Sequence, residues 1–587
     1  MHEEGSSQLT LAGMIKRFVL LFVISATVGI VGAKTVFTAN QATAVGVFLA
    51  IILGTLFFWN IRLSIAYLGL SVLICTNALD IQTFVKSSSL EVILFLVGMM
   101  IIVGALRDLG FFTWVVQLIV SMPDISGIKF IAVTSIASAL LACVVDEVTS
   151  IIFIATLIFQ VCDRLKLNPI PYILICVLAT NVGSAGTMMG NPVGIYIGTK
   201  GGLTFADFMC YAFPIMLLAL AATVAVTVWF FRKDLAQFDI SLKERLARNL
   251  SLAPVVDVPY KQGLTLLLIT ICAIGLHHQI ESFLGIGKNS VLLIAPLICS
   301  GVVMILKKDR ARYYVEREVD WWTLLFFMLL FAIAGTLEHT HVDLIMANYF
   351  SSICGTDLNI LVPFIIALTS IGSAFVDNVI FVAAFCPVIE QLSYTVKDLP
   401  LWWALLFGAC FGGNITMIGS TANIVALGML EKRSRSRITF FQWFRIGAVA
   451  SFVAAVIAWL LLILAAPLMP DRPSFVKPEM LGGIRFFENK HSVIEGYVKK
   501  APSPEYVIKE KNITEKDFNH YILHTDSSYV PIMLYVPKNS PMNKDIVSKD
   551  RKDLLYYRGR LYSYLTSHGG KLEALVLEEI SQKKPEK

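Results

Sequence analysis

Charge is what this sequence is shortest of. Only 15% of its 587 residues are Asp, Glu, Lys or Arg, 56% are hydrophobic, and the mean hydropathy is +0.72. Soluble domains carry about 25% charged residues to keep their surfaces hydrated. The scarcity therefore excludes a soluble protein over most of the length and points to a polytopic membrane protein in a lipid bilayer. Paired cysteines are missing too: ten stand singly between Cys75 and Cys410, without CxxC or Cys/His ligand spacing, which speaks against a metal site or a disulfide framework. The net charge of +6 comes mainly from short basic loops and a polar tail, so no nucleic-acid partner is expected. No small-residue cleavage site follows the first apolar run, Phe18 to Gly32, behind Lys16 and Arg17. That run reads as a retained first helix.

What is present is a series of apolar runs. A hydrocarbon core about 30 Å thick needs about 20 apolar residues per spanning helix. By that measure, spans are expected near 14–34, 41–60, 63–80, 90–106, 172–198, 207–231, 263–283, 289–306, 321–338, 401–430 and 446–468. Basic residues cluster in alternate loops, among them Arg62, Arg107, Arg164, the 232–261 segment, "KKDRAR" (307–312) and "EKRSRSR" (431–437). The positive-inside rule then makes the N-terminus cytoplasmic and, after about eleven crossings, puts the C-terminus outside. From Pro470 onward the composition turns polar, with "PSFVKPEM" as a linker. The alternating runs "SVIEGYVKK", "YVPIMLYVP", "LLYYRGRLYSYL" and "KLEALVLEEI" predict a small β-rich module, barrel-like in form. "NIT" at 512–514 is a glycosylation sequon.

Two apolar stretches do not read as simple crossings. Phe130 to Val145 is uncharged, Asp146 and Glu147 interrupt, and the run resumes from Val148 to Cys162; likewise Ile360 to Val376 breaks at Asp377 and Asn378 and resumes to Ile389. Each arm is marginal or short at about 1.5 Å per residue, so each stretch is expected to be a re-entrant hairpin with its polar tip at mid-depth. A carboxylate there costs at least about 2.5 kcal/mol on insertion scales, which favours a functional role for Asp146, Glu147 and Asp377.

The two hairpins belong to a repeat. "VVDEV" (144–148) matches "FVDNV" (375–379) at a shift of 231 residues, "TMMGNPVGI" (187–195) matches "TMIGSTANI" (416–424) at 229, and "LTFADF" (203–208) matches "ITFFQW" (438–443) at 235. Three ordered blocks at nearly one shift indicate an internal duplication. The basic loops change sides between the copies, which makes the repeat inverted, as in secondary transporters that bind solute where helices are broken. The breaks are visible. "NVGSAGTMMGNPVG" (181–194) holds Gly183, Gly186, Gly190, Gly194 and Pro192, and "FGGNITMIGSTAN" (411–423) holds three glycines with Asn414, Ser420, Thr421 and Asn423. Glycine costs about 1 and proline about 3 kcal/mol relative to alanine inside a helix. Unwound backbone at that depth is tolerated only against protein or a hydrated cavity, where its oxygens suit a hard cation. Glycines in membrane helices also serve close helix packing.

These residues resemble the ion transporter superfamily, which includes arsenite permeases, sodium/proton antiporters, citrate and dicarboxylate carriers and the melanosomal P protein. The likeness covers roughly 40–468 and is strongest in "ILFLVGMMIIVGALRDLGFF", "DEVTSIIFIATLIF", "DWWTLLFFMLLFAIAGTLEHT", "SAFVDNVIFVAAFCPVI" and "LWWALLFGACFGGNITMIGSTANIVALGMLEK". The resemblance implies a homodimer with a scaffold of outer helices and an elevator-like transport domain made from the hairpins and broken helices. Carried over by position, it implies that Asp146, Val148 and Thr149 form the first tip, with Asn181, Gly183, Gly190, Asn191 and Pro192 in the first break. Asp377, Asn378 and Val379 form the second tip, with Gly413, Asn414, Thr416, Ser420, Thr421, Ala422 and Asn423 in the second break. The chain departs from the common pattern at Glu147, where Asn is usual, and at Asn191 to Gly194, where Asp-Pro-Pro-Asn is usual.

The expectation is thus an all-α polytopic membrane protein with about eleven transmembrane helices plus two re-entrant hairpins in an inverted repeat, and a small C-terminal β-rich soluble domain. Its divisions are an N-terminal helix region (1–40), a first transport repeat (41–231), a cytoplasmic linker (232–262), a second, inverted repeat (263–468) and an extracytoplasmic domain (470–587) with a partner of its own, placed in a plasma (inner) membrane. The expected function is secondary transport of an inorganic or organic anion coupled to Na+ or H+. Asp146, Glu147, Asp377 and Asn378 handle the cation or proton, and no other cofactor is needed. No Arg or Lys is expected at the site, so a lone anion is disfavoured. A plain sodium/proton antiporter and a passive ion channel are the alternatives. No enzyme is expected: no GxGD-type sequence accompanies the membrane acids.

Overall fold

A computed structural model describes residues 11–122, 125–247, 259–286, 290–355, 357–393, 396–434, 438–470, 474–475, 490–499, 518–524, 532–542, 555–565 and 571–581. The chain forms two compact units. The first comprises Met1–Phe350, Asn359–Val388 and Trp402–Ala465; the second comprises Ser351–Leu358, Ile389–Leu401 and Ala466–Lys587.

The first unit is helical. Among the described residues of the chain, nine helices have the length and apolar composition to cross a bilayer, and Lys261–Gly275 with His277–Leu284 makes a tenth if their 61° bend lies within one span. Each of the eleven expected spans coincides with a helix, with this bent pair or with one of two broken pairs, Ile170–Gly183 with Pro192–Gly201 and Leu399–Gly412 with Thr421–Ser434. The protein is therefore an integral membrane protein. The segment 232–262 begins with a helix, Arg232–Ala247, that packs under the first hairpin. Asp239 accepts the Gly127 backbone N–H at 2.6 Å, Phe238 stacks on Phe130 at 5.1 Å, and Tyr172 donates to the Asp234 carbonyl at 2.9 Å.

Both hairpins are helix–break–helix, Gly127–Val144 with Glu147–Leu165 and Leu358–Phe375 with Asn378–Ser393. Their arms run longer than the sequence suggested. In the first, Ser126 accepts the Lys129 N–H and so starts the helix before the apolar run begins. At the tip, Asp146 has extended backbone (φ 171°, ψ 164°) and caps the next helix by accepting the Thr149 N–H. An Asp at this point both ends one helix and starts another.

The second unit holds six short strands among its described residues: β1 (Ser474–Phe475), β2 (Lys490–Lys499), β3 (Phe518–His524), β4 (Ile532–Pro537), β5 (Leu555–Leu565) and β6 (Lys571–Ser581). β2 pairs antiparallel with both β3 and β5, β3 with β4, and β5 with β6, while β4 and β6 run parallel. Because β5 joins β6 to β2, the run β2–β3–β4–β6–β5 closes into a barrel, with β1 added parallel to β2. Leu534, Tyr535, Val536, Tyr557, Leu575 and Leu577 are buried in this unit. The sequon at 512–514, most of "PSFVKPEM" and the first ten residues lie outside the described residues.

Candidate functional site

The two hairpin tips line one cavity of about 340 Å³ within the first unit. Asp146, Glu147, Val148 and Thr149 come from the first tip, Asp377, Asn378 and Val379 from the second. Asn191, Pro192 and Val193 come from the first break, and Thr421 from the second. Five helices begin at this cavity, starting at Glu147, Pro192, Trp321, Asn378 and Thr421. A helix N-terminus carries about +0.5 elementary charge and unpaired N–H groups. Their convergence raises the local potential and suits an anionic group.

The acidic side chains are held differently. Asp146 accepts from Thr149 N–H (2.8 Å) and Thr149 Oγ (2.6 Å), so its oxygens are bound by its own helix start. Asp377 accepts from Val379 N–H (3.0 Å) and, across to the second break, from Thr421 Oγ (2.9 Å). Glu147 Oε1 lies 3.2 Å from Ser420 Oγ and shares that hydroxyl's one proton with Asn181 Oδ1, while its Oε2 is buried with no partner. Asn378 turns its amide nitrogen toward Ser373 Oγ and the carbonyls of Ala409 (3.2 Å) and Gly419 (2.8 Å). That contact spends the amide on fixing the tip.

Behind the wall lies a knot of amides. Asn181 Nδ2 donates to Asn414 Oδ1 and Asn423 Oδ1, both at 2.8 Å, and Asn181 Oδ1 accepts from Ser420 at 3.1 Å. Asn414 donates to the Leu178 carbonyl (3.1 Å), and Asn423 to the carbonyls of Gly413 (2.8 Å) and Thr416 (3.0 Å). Asn191 donates to Ser184 Oγ (2.9 Å) and Cys410 Sγ (3.2 Å) and caps its helix through Gly194 N–H. Unwound carbonyls in a membrane need such donors.

Matching contacts recur in the two halves. Thr187 donates to the Cys143 carbonyl, and Thr416 to the Ala374 carbonyl. A Cβ on Gly183 would lie 2.4 Å from Ala139 Cα, and one on Gly412 would lie 2.4 Å from Ser370 Cα.

Of the candidate residues from the sequence, Asp146, Glu147, Val148, Thr149, Asn191, Pro192, Asp377, Asn378, Val379 and Thr421 line the cavity. Asn181, Gly183, Gly190, Gly413, Asn414, Thr416, Ser420 and Asn423 stand behind it, where they shape the breaks. Gly190 belongs there because a Cβ would fall 2.2 Å from the Ser184 carbonyl oxygen.

The expectation of a site without basic residues is corrected. Arg107 and Arg317 line the cavity together with Glu318, Asp320 and Thr323. Arg107 pairs with Glu318 at 2.9 Å. Arg107 ends the helix Leu90–Asp108 and in the sequence reads as an orientation signal; Arg317 gave no signal of its own. "DWWT" at 320–323 carried a usable clue, since Asp followed three residues later by Thr is a helix-start pattern; Asp320 accepts from both Thr323 N–H and Oγ. With all groups ionised, the wall holds five carboxylates against two guanidiniums.

The chain matches the family model described as citrate transporter over residues 48–408 and 346–556. An uncharacterized transporter of Mycobacterium tuberculosis is 32% identical over 387 residues, which span 63% of this chain and 86% of that protein. The P protein of Homo sapiens is 24% identical over 448 residues, 64% of this chain and 53% of that protein. Among solved structures, the YdaH transporter of Alcanivorax borkumensis aligns with 68% of this chain and 89% of its own, at 16% identity and a TM-score of 0.45.

Proposed function

Because the chain belongs to the citrate transporter family, a branch of the ion transporter superfamily, it is a membrane transporter, and we propose that it moves a small anion together with a coupling Na+ or H+. The observation that carries this reading is the make-up of the wall: five carboxyl groups and two arginines share one cavity with five helix N-termini. The N-termini and arginines attract an anion, and the surplus carboxylates repel it. At an effective dielectric near 20, two unit charges about 4 Å apart interact by about 4 kcal/mol, so the surplus carboxylates oppose a solitary anion. A cation bound among them removes that opposition.

Asp377 and Glu147 receive the cation; Glu147 supplies a carboxylate oxygen that the protein leaves without a donor. Asp146 and Asn378 set the tips. Asn191, Pro192 and Thr421 present helix starts to the anion. The amide knot lets hairpins and breaks move as one body, in the manner of an elevator, within an inverted repeat and a homodimer in a plasma membrane. At about 340 Å³ the cavity lies at the small end of ligand sites, which fits a carboxylate or oxyanion with its cation. The family description makes citrate the first anion to try.

The test is uptake into proteoliposomes of citrate, other di- and tricarboxylates, sulfate and arsenite under imposed Na+ or pH gradients. Asp377→Asn is expected to abolish gradient-driven accumulation. Unchanged accumulation in this variant refutes the coupling role. A second reading, sodium/proton exchange, draws on the acidic surplus of the wall; Na+ flux that needs a pH gradient but no anion would establish it instead.

A further inference from the structure

Arg62 stands beside this cavity without a task in the account above. It is the first residue of the helix Arg62–Cys75 and is 3% exposed. A cation is poorly placed at a helix N-terminus, and a buried guanidinium needs hydrogen-bond partners. Nη2 donates to Thr323 Oγ at 3.3 Å, while Nε and Nη1 are buried without a partner. The faces of the group are covered by Trp59 and Phe326, whose ring centroids lie 3.8 and 4.8 Å from Cζ. The rings fix the charge in place and keep water from it. The carboxylates whose charge acts on it are Asp377 and Asp320. Thr323, which accepts from Arg62, donates to Asp320 at 2.7 Å, and Thr323, Asp320 and Asp377 all line the cavity. Arg62 is thus a fixed positive charge just behind the wall, tied through Thr323 and Asp320 to the cavity that Asp377 also lines, without a direct ion pair.

We propose that Arg62 is a positioning residue for the coupling cation: it balances Asp377 during the part of the cycle without a bound cation, and it weakens the cation's hold so that the cation can leave. This rests on the cation-coupling reading above, taken for Na+. Two positive charges beside one carboxylate repel each other, so removing Arg62 tightens Na+ binding even as it disturbs packing. A purely structural residue would not do that.

The experiment measures thermal unfolding of the purified full-length protein against NaCl, with choline chloride holding ionic strength constant. Two neutral variants are used, Arg62→Gln and Arg62→Met; the second keeps an apolar stem between the rings and serves if the first does not fold. The half-saturating Na+ concentration is expected to fall about tenfold in the neutral variants, the order expected of a neighbouring unit charge, and to return toward wild type in Arg62→Lys. An unchanged or raised half-saturating concentration with a lower unfolding midpoint overturns the proposal and leaves the coupling reading standing. Absence of any Na+ effect on the wild type overturns Na+ coupling, and the proposal with it.

Discussion

Replacing Gly183 with alanine puts a methyl group where the structure has backbone. The new Cβ would lie 2.4 Å from Ala139 Cα, 2.5 Å from its carbonyl oxygen and 2.6 Å from its Cβ; at Gly412 the corresponding contacts are Ser370 Cα at 2.4 Å and its carbonyl oxygen at 2.5 Å. Real Cβ contacts seldom fall below 3.4 Å, so helix Ile170–Gly183 must move about 1 Å away from helix Gly127–Val144, and Leu399–Gly412 must do the same against Leu358–Phe375. Overpacking of this kind costs about 1–3 kcal/mol, and more where backbone cannot yield. Gly301 and Gly428 provide the control. Both lie in helices with nothing within 4 Å of an added Cβ, so alanine there should be neutral or stabilising by up to about 1 kcal/mol. Thermal unfolding of the four purified variants in one detergent reads the difference. Gly183→Ala and Gly412→Ala should unfold well below wild type, and Gly301→Ala and Gly428→Ala at or above it. If Gly183→Ala unfolds with the control pair, the close hairpin-to-break packing is wrong.

Two further outcomes concern the polar network. Glu147→Gln removes a buried carboxylate whose Oε2 has no donor, so the variant should fold, and the accumulation reached in proteoliposomes at a fixed imposed cation gradient should fall; unchanged accumulation refutes its role. Asn181→Ala strips partners from Asn414 Oδ1 and Asn423 Oδ1 and leaves the Ser420 hydroxyl to Glu147, at about 1–3 kcal/mol for each group left unsatisfied. Asn181→Asp should be worse, because it sets a carboxylate against two carbonyl oxygens; a lower unfolding midpoint for the alanine variant than for the aspartate variant would contradict that geometry.

How much of this was legible beforehand depended on whether the signal was local. Asp146 and Asp377 stood out because a charge in an apolar run is costly wherever the run ends up, and the breaks stood out because glycine and proline act on their own residue. Other features gave no such signal. Helices Phe111–Val120 and Val342–Cys354 have 10 and 13 residues, too few to fill a span-length window. The Arg232–Ala247 helix looked like a basic loop because its packing partners, Phe130, Gly127 and Tyr172, lie far off in sequence. Strand β3, "FNHYILH", lacks the strict alternation that marked its neighbours.

The same distinction explains the site. Asn181, Asn414 and Asn423 carry the group types of cation ligands, and no sequence rule separates an amide facing a cavity from one knotted to its neighbours. What decides is how many of its hydrogen bonds are already made. Asn181 has both amide hydrogens and its oxygen engaged with side chains from the second break, and Asn423 has its nitrogen committed to two carbonyls. They have little capacity left for a solute. Glu147 Oε2 does. The opposite error, overlooking Arg107, has the same root: a charge at the end of an apolar helix reads as facing the lipid headgroups unless the fold is known to bend a hairpin tip to its depth. Because the tips and those helix ends line one cavity, their charges share one dielectric environment, and their balance, rather than any single residue, bears on what can bind there.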